Sequence, residues 1–274
     1  MRSRSLIATF LVSAALALVP AQATAARILA SSTGKKYEVV RLAGKGGFGH
    51  VYKAWELTAD KSGELVRRSP VALKTYDSLA SAINEDEPLK AIAGLRNLPR
   101  TLGNGFDEKQ QKSFVVTRWV EGKTLDAWRK SQPRDNAQVI EAVRKAALIV
   151  STLNARGWLH LDLKPKNIMI DARGIVNVID IGTAQLKGEG GTTVATGAGT
   201  RALMPPEQRA ASTVDDRADV YALAGTLLRL LDKRTVIEPA LDAVIKKGHA
   251  VKPADRYATT RDFANALGVL HARR

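Results

Sequence analysis

His160 to Gly182 reads HLDLKPKNIMIDARGIVNVIDIG. This segment places acidic, basic and amide side chains on short irregular stretches beside two apolar runs, 168–170 and 175–181. The runs predict two short antiparallel strands, and the intervening Asp-Ala-Arg-Gly predicts a turn between them. A rigid hairpin of this kind would hold Asn167 and Asp180 near each other, which indicates a site for chemistry rather than packing alone.

The polar side chains of this segment have complementary chemistry. Asp162 can accept a proton from a hydroxyl group, and Lys164 can hold a phosphate oxygen. Asn167 and Asp180 supply oxygen ligands suited to Mg²⁺, while Pro165 stiffens the turn between them. A buried hairpin with polar ends is the alternative interpretation, but the ordered spacing of the set favours a functional site.

The composition excludes some kinds of site and partner. The 274-residue chain is long enough for one large domain or two small lobes. It contains no cysteine, which excludes disulfides and thiolate metal sites, and its formal net charge is +15. This charge attracts acidic partners, but the basic residues are scattered and not interleaved with aromatic side chains. We therefore expect no dedicated nucleic-acid binding.

The amino terminus has the pattern of a secretory signal peptide. Two arginines precede an apolar run, 6–19, and the small-residue sequence AQATAA follows it. This pattern predicts a signal peptide over 1–26, cleaved after Ala23 or Ala25. The run is shorter than the ~20 residues of a spanning helix, so we expect no stable membrane span after cleavage. The protein would then be secreted or periplasmic, whereas an uncleaved membrane anchor and a mis-assigned start codon are the alternatives.

A glycine-rich hairpin is predicted early in the remaining chain. Strand-like runs at 37–42 and 52–55 flank the sequence GKGGFGHV at 44–51. Its glycines let backbone N–H groups approach phosphates closely, and Phe48 at the tip could shield them from water. The hairpin context argues against a dinucleotide-binding fingerprint, in which the glycines lead into a helix.

Further along, the sequence predicts a strand, a boundary and a long helix. The run 114–120 is strand-like, and EGKT at 121–124 ends it and can cap a helix that starts at Leu125. Between 139 and 153 the apolar residues recur with helical spacing. This core helix would deliver the chain to His160.

Together these segments resemble the protein kinase superfamily, and in particular the bacterial eukaryotic-like (Hanks-type) serine/threonine protein kinases. The motifs occur in family order between Tyr37 and about Leu270. HLDLKPKN resembles the family's His-Arg-Asp catalytic loop, DIG at 180–182 resembles Asp-Phe-Gly, and PPE at 205–207 resembles Ala-Pro-Glu.

The resemblance implies a fold class and a domain organisation. The fold would be α+β and two-lobed, with a small β-rich N-lobe and a mainly helical, shortened C-lobe. The kinase domain would occupy residues 27–274, with the N-lobe at about 37–120 and the C-lobe at about 121–271.

The resemblance also implies an ion pair. Lys74, which ends the sequence VALK, would contact the α- and β-phosphates of ATP and pair with a helical glutamate. Glu85 shares one helical face with two apolar residues, at i+4 and i+7, so we expect it to be that partner. Glu87 is the competitor, because Pro88 can mark a late helix start or a kink.

The remaining site residues fall into groups with a shared implied role. The catalytic residues are Asp162, Lys164, Lys74 and Glu85. The ATP-binding residues are Gly44, Gly46, Phe48, Gly49, Val51, Lys74, Arg118 and Val120. The ligands of Mg²⁺ or Mn²⁺ are Asn167 and Asp180. The substrate and activation-segment residues are Thr200 and Glu207. Thr117 would lie at the back of the adenine pocket.

Contacts around the catalytic loop are implied as well. Thr200 would touch the catalytic aspartate and lysine, and together with Lys164 it indicates serine or threonine substrates. Asp219 would hold the backbone of the catalytic loop. Arg256 would pair with Glu207.

The sequence departs from the family pattern at four places. Leu161 replaces the arginine that receives an activation-segment phosphate, so we expect no phosphorylation of that segment to be required for activity. Ile181 and Pro205 are milder replacements, of phenylalanine and alanine. Only a short stretch separates Leu231 from Leu241, where family members have a helix and loops, which implies unusual substrate docking.

The implied function is transfer of the ATP γ-phosphoryl group to a serine or threonine of an unidentified protein substrate, with Mg²⁺ or Mn²⁺. A catalytically inactive pseudokinase that acts as a binding or scaffold module is one alternative, and a small-molecule kinase of related fold is another. An export signal conflicts with the use of ATP, which is scarce outside the cytoplasm. Action inside a host cell, or a binding role outside the producing cell, would resolve this conflict.

Overall fold

The computed structural model describes residues 27–46, 49–131, 135–188, 192–193, 199–231 and 236–271. The predicted signal peptide and Phe48 lie outside the described residues. None of the helices in the described ranges is both long enough and apolar enough to cross a membrane.

The first half of the chain forms a six-stranded antiparallel sheet with one helix. Its elements are β1 (Arg27–Ala30), β2 (Lys36–Gly46), β3 (Gly49–Ala59), β4 (Leu65–Tyr76), α1 (Leu79–Ala91), β5 (Thr101–Asp107) and β6 (Lys112–Arg118). The strands lie in the order β1-β2-β3-β4-β6-β5. The predicted strands at 37–42 and 52–55 are parts of β2 and β3, which extend to either side of the glycine-rich turn as one long hairpin.

The sheet begins ten residues before Tyr37, the predicted start of the N-lobe. Strand β1 pairs with β2 from Arg27↔Val39 to Ala30↔Lys36. Arg27 also forms an ion pair with Asp107 at the end of β5, and the Ser32 amide donates to the Asn104 carbonyl at 2.8 Å. The two edges of the sheet therefore approach each other, which curls it around a small core that includes Tyr37, Leu73 and Phe114.

Helix α1 passes through Pro88 and does not begin there. Ser78 caps it by accepting a hydrogen bond from the Ser81 amide at 3.1 Å. The Ile92 amide still donates to the Pro88 carbonyl at 3.0 Å, so the last turn is intact. The predicted inward face is confirmed, because Glu85 and Leu89 are both buried.

The second half is mainly helical. Its elements are β7 (Lys123–Thr124), α2 (Leu125–Ser131), α3 (Asn136–Asn154), β8 (Trp158–Leu159), β9 (Ile168–Ile170), β10 (Val176–Val178), β11 (Gln185–Leu186), β12 (Thr192–Thr193), α4 (Pro206–Arg209), β13 (Thr213–Val214), α5 (Asp216–Leu230), α6 (Pro239–Gly248) and α7 (Thr260–His271). Short 3-10 turns lie at Pro165–Asn167 and Pro253–Asp255.

Helix α3 lies at the centre of the mainly helical C-lobe. Asp135 caps it by accepting from the amides of Ala137 and Gln138. The apolar side chains that predicted a helix over 139–153 are buried, and α5 and α7 pack against this helix. The predicted two-lobed α+β architecture is thus confirmed, and α3 leads directly to the catalytic-loop sequence.

The predicted hairpin after the catalytic loop is confirmed. Strands β9 and β10 are antiparallel, with Ile170 opposite Val176 and Ile168 opposite Val178. The second strand is shorter than the apolar run 175–181 suggested. Its continuation is blocked near Asp180, whose backbone adopts a left-handed conformation with φ of 62°.

A buried bidentate ion pair joins the glutamate of PPE to Arg256, which lies just before α7. The two terminal nitrogens of Arg256 donate to Glu207 Oε1 at 2.6 Å and to Glu207 Oε2 at 2.9 Å. Arg256 also donates to the carbonyls of Ala250, Arg217 and Val251, and its side chain is 0% exposed. All five donor positions of the guanidinium are used inside the protein.

Replacing Arg256 with methionine should lower the free energy of unfolding by about 3–5 kcal/mol, because Glu207 would remain buried without its counter-charge. Urea denaturation measures this change. Arg67→Met is the matched control, since Arg67 forms a bidentate pair with Glu38 but its side chain is 54% exposed. The control should leave the stability nearly unchanged. Equal effects of the two substitutions would contradict the prediction.

Candidate active site

A cluster of three charges lies between the sheet and the loop that follows β10. Lys74 Nζ donates to Glu85 Oε2 and to Asp180 Oδ1, each at 2.7 Å. The side chains of Lys74 and Glu85 are 12% and 6% exposed. Glu85, and not Glu87, is therefore the helical partner of Lys74.

The cluster shifts the ionisation of its members. Burial alone lowers the pKa of Lys74, but the carboxylates of Glu85 and Asp180 outweigh it and hold the pKa above its ordinary value. Burial raises the pKa of Glu85. At Asp180 burial acts in the same direction, yet the Lys74 charge prevails and lowers the pKa. Lys74 thus stays cationic, with its Nζ 5.4 Å from the ring centroid of the buried Tyr76.

Two glycines are required by close approaches around this cluster. A Cβ on Gly182 would lie 2.5 Å from Glu85 Oε2 and 3.1 Å from Lys74 Nζ. A Cβ on Gly49 would lie 1.7 Å from the Thr75 carbonyl oxygen, and Gly49 has a φ of 145°. A side chain at position 182 would displace the Lys74 and Glu85 side chains, and one at position 49 would push the glycine-rich hairpin away from β4.

The glycine-rich hairpin lies beside the strand that carries the lysine, because β3 pairs with β4 in the sheet. The register of β3 and β4 places Val51 directly opposite Lys74. Gly44 and Gly46 are exposed, and a Cβ on Gly44 would meet no atom within 4 Å. Their backbone is therefore accessible to a ligand. Phe48, the predicted shield at the tip, lies outside the described residues.

The segment between the lobes follows the end of β6. Strand β6 ends at Arg118, earlier than the predicted end at Val120, and the Trp119 amide donates to the Pro70 carbonyl at 3.3 Å. Arg118 is exposed, whereas Thr117 and Val120 are half-buried. The backbone expected to bind adenine thus lies at the junction of the two lobes.

Asp162 is surrounded by hydrogen-bond donors. Lys164 Nζ lies 2.5 Å from its Oδ2, and Thr200 Oγ1 donates to its Oδ1 at 2.7 Å. Asn167 Nδ2 donates to the Asp162 carbonyl at 2.9 Å and to Oδ2 at 3.2 Å. The structure therefore brings three other predicted site residues together around one carboxylate that can accept a proton. Glu207 is not among them, because Arg256 binds both of its oxygens.

The backbone of the catalytic loop is held by a buried carboxylate on α5. Asp219 Oδ1 accepts from the Leu161 amide at 2.9 Å, and its Oδ2 accepts from the His160 amide and from Asn154 Nδ2, each at 3.0 Å. Burial raises the pKa of Asp219, while these donors favour its charged form. Thr260 on α7 in turn donates to Asn154 Oδ1 at 2.8 Å.

Two further residues of this support were missed at the sequence level. Gln208 Nε2 donates to the Leu161 carbonyl at 2.9 Å, and Thr183 Oγ1 donates to the His160 carbonyl at 3.0 Å. Leu161 has a left-handed backbone with φ of 64°, so its carbonyl turns away from any regular partner. The only sequence signal was position, since Gln208 directly follows PPE and Thr183 directly follows DIG.

The donor set beside Lys74 fits a magnesium ion. The Ile179 amide donates to the Asn167 carbonyl at 2.8 Å, which holds Asn167 beside Asp180. Asn167 Nδ2 is engaged by Asp162, which leaves its Oδ1 for a metal, and the Asp180 side chain is 38% exposed. The described residues contain no cluster of three or more side chains of the His, Cys, Asp and Glu types that could hold a metal alone. One carboxylate and one amide suit Mg²⁺ that also binds phosphate and water.

A comparison of the chain with models of known protein families agrees with the order and geometry of these groups. The model of the protein kinase domain matches residues 37–264. The chain belongs to the protein kinase family. The family predicted from the motifs is thus confirmed, although residues 27–30 of the kinase sheet precede the matched range.

The kinase domain is similar to several bacterial proteins. It is 30% identical over 261 residues to serine/threonine-protein kinase PknD of Mycobacterium tuberculosis, covering 84% of this chain and 39% of the relative. It is 30% identical to serine/threonine-protein kinase PknH of Mycobacterium bovis, covering 84% and 43%, and 28% identical to serine/threonine-protein kinase Pkn1 of Myxococcus xanthus, covering 85% and 38%. The chain spans about two fifths of the length of these curated relatives.

Replacing Asp219 with asparagine should loosen the catalytic loop of the kinase domain. The amide group offers one acceptor oxygen where three donors converge, so at least one N–H would face an NH₂ group. We expect a loss of about 1–3 kcal/mol in unfolding free energy and faster hydrogen exchange at the amides of His160 and Leu161.

Asp215→Asn is the matched control, because Asp215 caps the same helix and asparagine is also a good cap. It should change neither quantity appreciably. Unchanged exchange at both loop amides in Asp219→Asn would contradict the predicted role of Asp219. Mass spectrometry after deuterium labelling measures the exchange.

Proposed function

We propose that this chain transfers the γ-phosphoryl group of ATP to a serine or threonine hydroxyl of a protein. The observation that carries the proposal is the complete set of interactions from Glu85 through Lys74 to Asp180, beside an Asp162 that contacts Lys164 and Thr200. The names of the relatives, all serine/threonine-protein kinases, support the same activity.

The proposed reaction forms a bond between the acceptor oxygen and the γ-phosphorus while the bond from that phosphorus to the β,γ-bridging oxygen breaks. ADP leaves with the electron pair of the broken bond. The proton of the acceptor hydroxyl passes to the Asp162 carboxylate and then to solvent. Thr200 and Lys164 orient this carboxylate, and Lys164 also neutralises charge on the transferred group.

Lys74 and the neighbouring glycine-rich hairpin position the nucleotide. The cationic Lys74 binds the α- and β-phosphates, and Glu85 fixes its direction. Backbone amides near Gly44, Gly46 and Gly49 cover the phosphates, and the backbone of the junction after β6 binds the base. Such positioning supplies most of the catalysis in phosphoryl transfer, because the protein forms no covalent bond to the substrate.

Asn167 and Asp180 would hold the magnesium ion. When bound, the ion neutralises the charge of the phosphates and orients them. Lys74 lies between Glu85 and Asp180 in the structure. Asp180 would therefore contact both the magnesium ion and the Lys74 ammonium group.

Activation without phosphorylation of the activation segment remains part of the proposal. Leu161 occupies the catalytic-loop position where an arginine would bind the phosphate of the activation segment, and its side chain is buried and uncharged. Its backbone bonds to Asp219 and Gln208 maintain the loop by another route.

The activity is tested by incubating the full chain with radiolabelled ATP, Mg²⁺ and a mixture of dephosphorylated casein and histone. Incorporation of label is expected, and Asp162→Asn should reduce it by roughly 100-fold or more, because the general base is lost while the pocket is retained. Equal activity of the wild type and Asp162→Asn would contradict the mechanism. Thermal stabilisation by ATP without any label transfer would instead favour a pseudokinase.

We also propose that the chain is exported and that its signal peptide, within residues 1–26, is removed. Supporting this, β1 begins at Arg27, so cleavage after Ala23 or Ala25 would leave every described strand intact. Expression of the full chain in a bacterium should yield an extracytoplasmic protein whose first residue is Thr24 or Ala26, as read by peptide mass spectrometry. Replacing both alanines with lysine should block processing. Recovery of only unprocessed protein in the cytoplasm would contradict export.

A further inference from the structure

Exposed cations lie in the two segments that contact the proposed catalytic carboxylate Asp162, and we call these segments its acceptor side. Lys166 is exposed within the turn between Lys164 and Asn167, both of which contact Asp162. Arg201 is exposed and directly follows Thr200, which donates to the same carboxylate. One exposed cation is therefore adjacent in the chain to each of the two segments that contact Asp162.

Arg209 adds a third cation to this face. Its Nε donates to the Met204 carbonyl at 2.9 Å, and the Met204 amide donates to the Thr200 carbonyl at 3.1 Å. Arg209 is thus tied to the segment that contacts Asp162, yet its residue remains exposed.

The neighbouring carboxylates are engaged by other partners. Glu207 is bound through both oxygens by Arg256. Asp216 lies 2.8 Å from Lys187, and Asp215 caps α5. These acids therefore do not neutralise the three exposed cations.

Among the described residues, Lys166, Arg201 and Arg209 have no carboxylate within ion-pair distance. Helix α2 packs against the turn that carries Lys166 and contributes Asp126, but Asp126 Oδ1 is buried. The acceptor side therefore carries an excess of positive charge.

A group of cations without carboxylate partners attracts anions and raises their local concentration. Lysine and arginine bind carboxylate and phosphate oxygens through charge-assisted hydrogen bonds. A basic acceptor sequence would instead be repelled, since charges of like sign would lie opposite each other.

We propose that the acceptor segment of the substrate is anionic, with acidic or phosphorylated side chains close to the reacting serine or threonine, and that Lys166, Arg201 and Arg209 recognise them. This inference rests on the proposed phosphoryl transfer. Carboxylates and phosphates share the required chemistry, so the experiment separates the two.

The test uses the full chain, Mg²⁺-ATP and four synthetic peptides that share one acceptor serine. The flanking residues are alanine, glutamate, lysine or phosphoserine. The glutamate peptide should have a kcat/KM roughly tenfold above that of the alanine peptide, mostly through KM, and the lysine peptide should be the poorest. The preference should shrink as salt is raised, because exposed charges are screened.

The double variant Lys166→Glu/Arg201→Glu should remove or reverse the preference while the kcat for the alanine peptide stays within about twofold. Lys61→Glu/Arg261→Glu is the matched control. It changes the net charge equally, at two exposed residues on the β3–β4 turn and on α7. This control should keep the preference for the glutamate peptide.

The outcomes separate the two proposals. A clear advantage of phosphoserine over glutamate assigns the surface to substrates that are already phosphorylated, and equal rates show that carboxylates suffice. Equal use of the alanine and glutamate peptides, or preference for the lysine peptide, would overturn this inference and leave the proposed function standing. Failure to label any peptide or protein would overturn the proposed function and the inference with it.

Discussion

The ammonium group of Lys74 is the charge on which the arrangement of the two lobes depends. Its two carboxylate partners come from different parts of the chain. Glu85 lies 11 residues after Lys74 in the sequence, and Asp180 lies 106 residues after it. A buried cation without these partners would be strongly unfavourable, so the ion pairs favour the arrangement in which the sheet, α1 and the loop after β10 meet. Gly182 permits the meeting, because a side chain there would occupy the space between the charges.

The catalytic loop illustrates a second constraint. It has no regular structure around Leu161, so its main-chain groups need other partners. Asp219 accepts from its amides, and Gln208 and Thr183 donate to its carbonyls. The shape of the loop is therefore determined by polar side chains on segments that follow it in the sequence. Asp162 acquires its position from this support, which explains how an irregular loop can hold the proposed catalytic carboxylate in one orientation.

The sequence predicted those features whose causes are local. Helix α3 has apolar residues at helical spacing, and the β9–β10 hairpin consists of two apolar runs around a turn, so both were recognised. Strand β1 was not, because four residues carry little periodic signal and the strand is defined by its pairing with β2 and by the ion pair between Arg27 and Asp107. Pro88 left Glu87 open as a competitor of Glu85, because propensity disfavours a proline inside a helix. Packing of α1 on the sheet tolerates this proline.

The sequence by itself determined the family and the order of the motifs and named the candidate site residues, because these depend on side-chain chemistry and spacing along the chain. Only the tertiary structure decided which charges are paired and which remain exposed. Glu85 was distinguished from Glu87 by its distance to Lys74, and the pair expected between Arg256 and Glu207 proved to be bidentate and buried. Pairing depends on distances between residues far apart in the chain, and those distances exist only once the two lobes have folded and packed together.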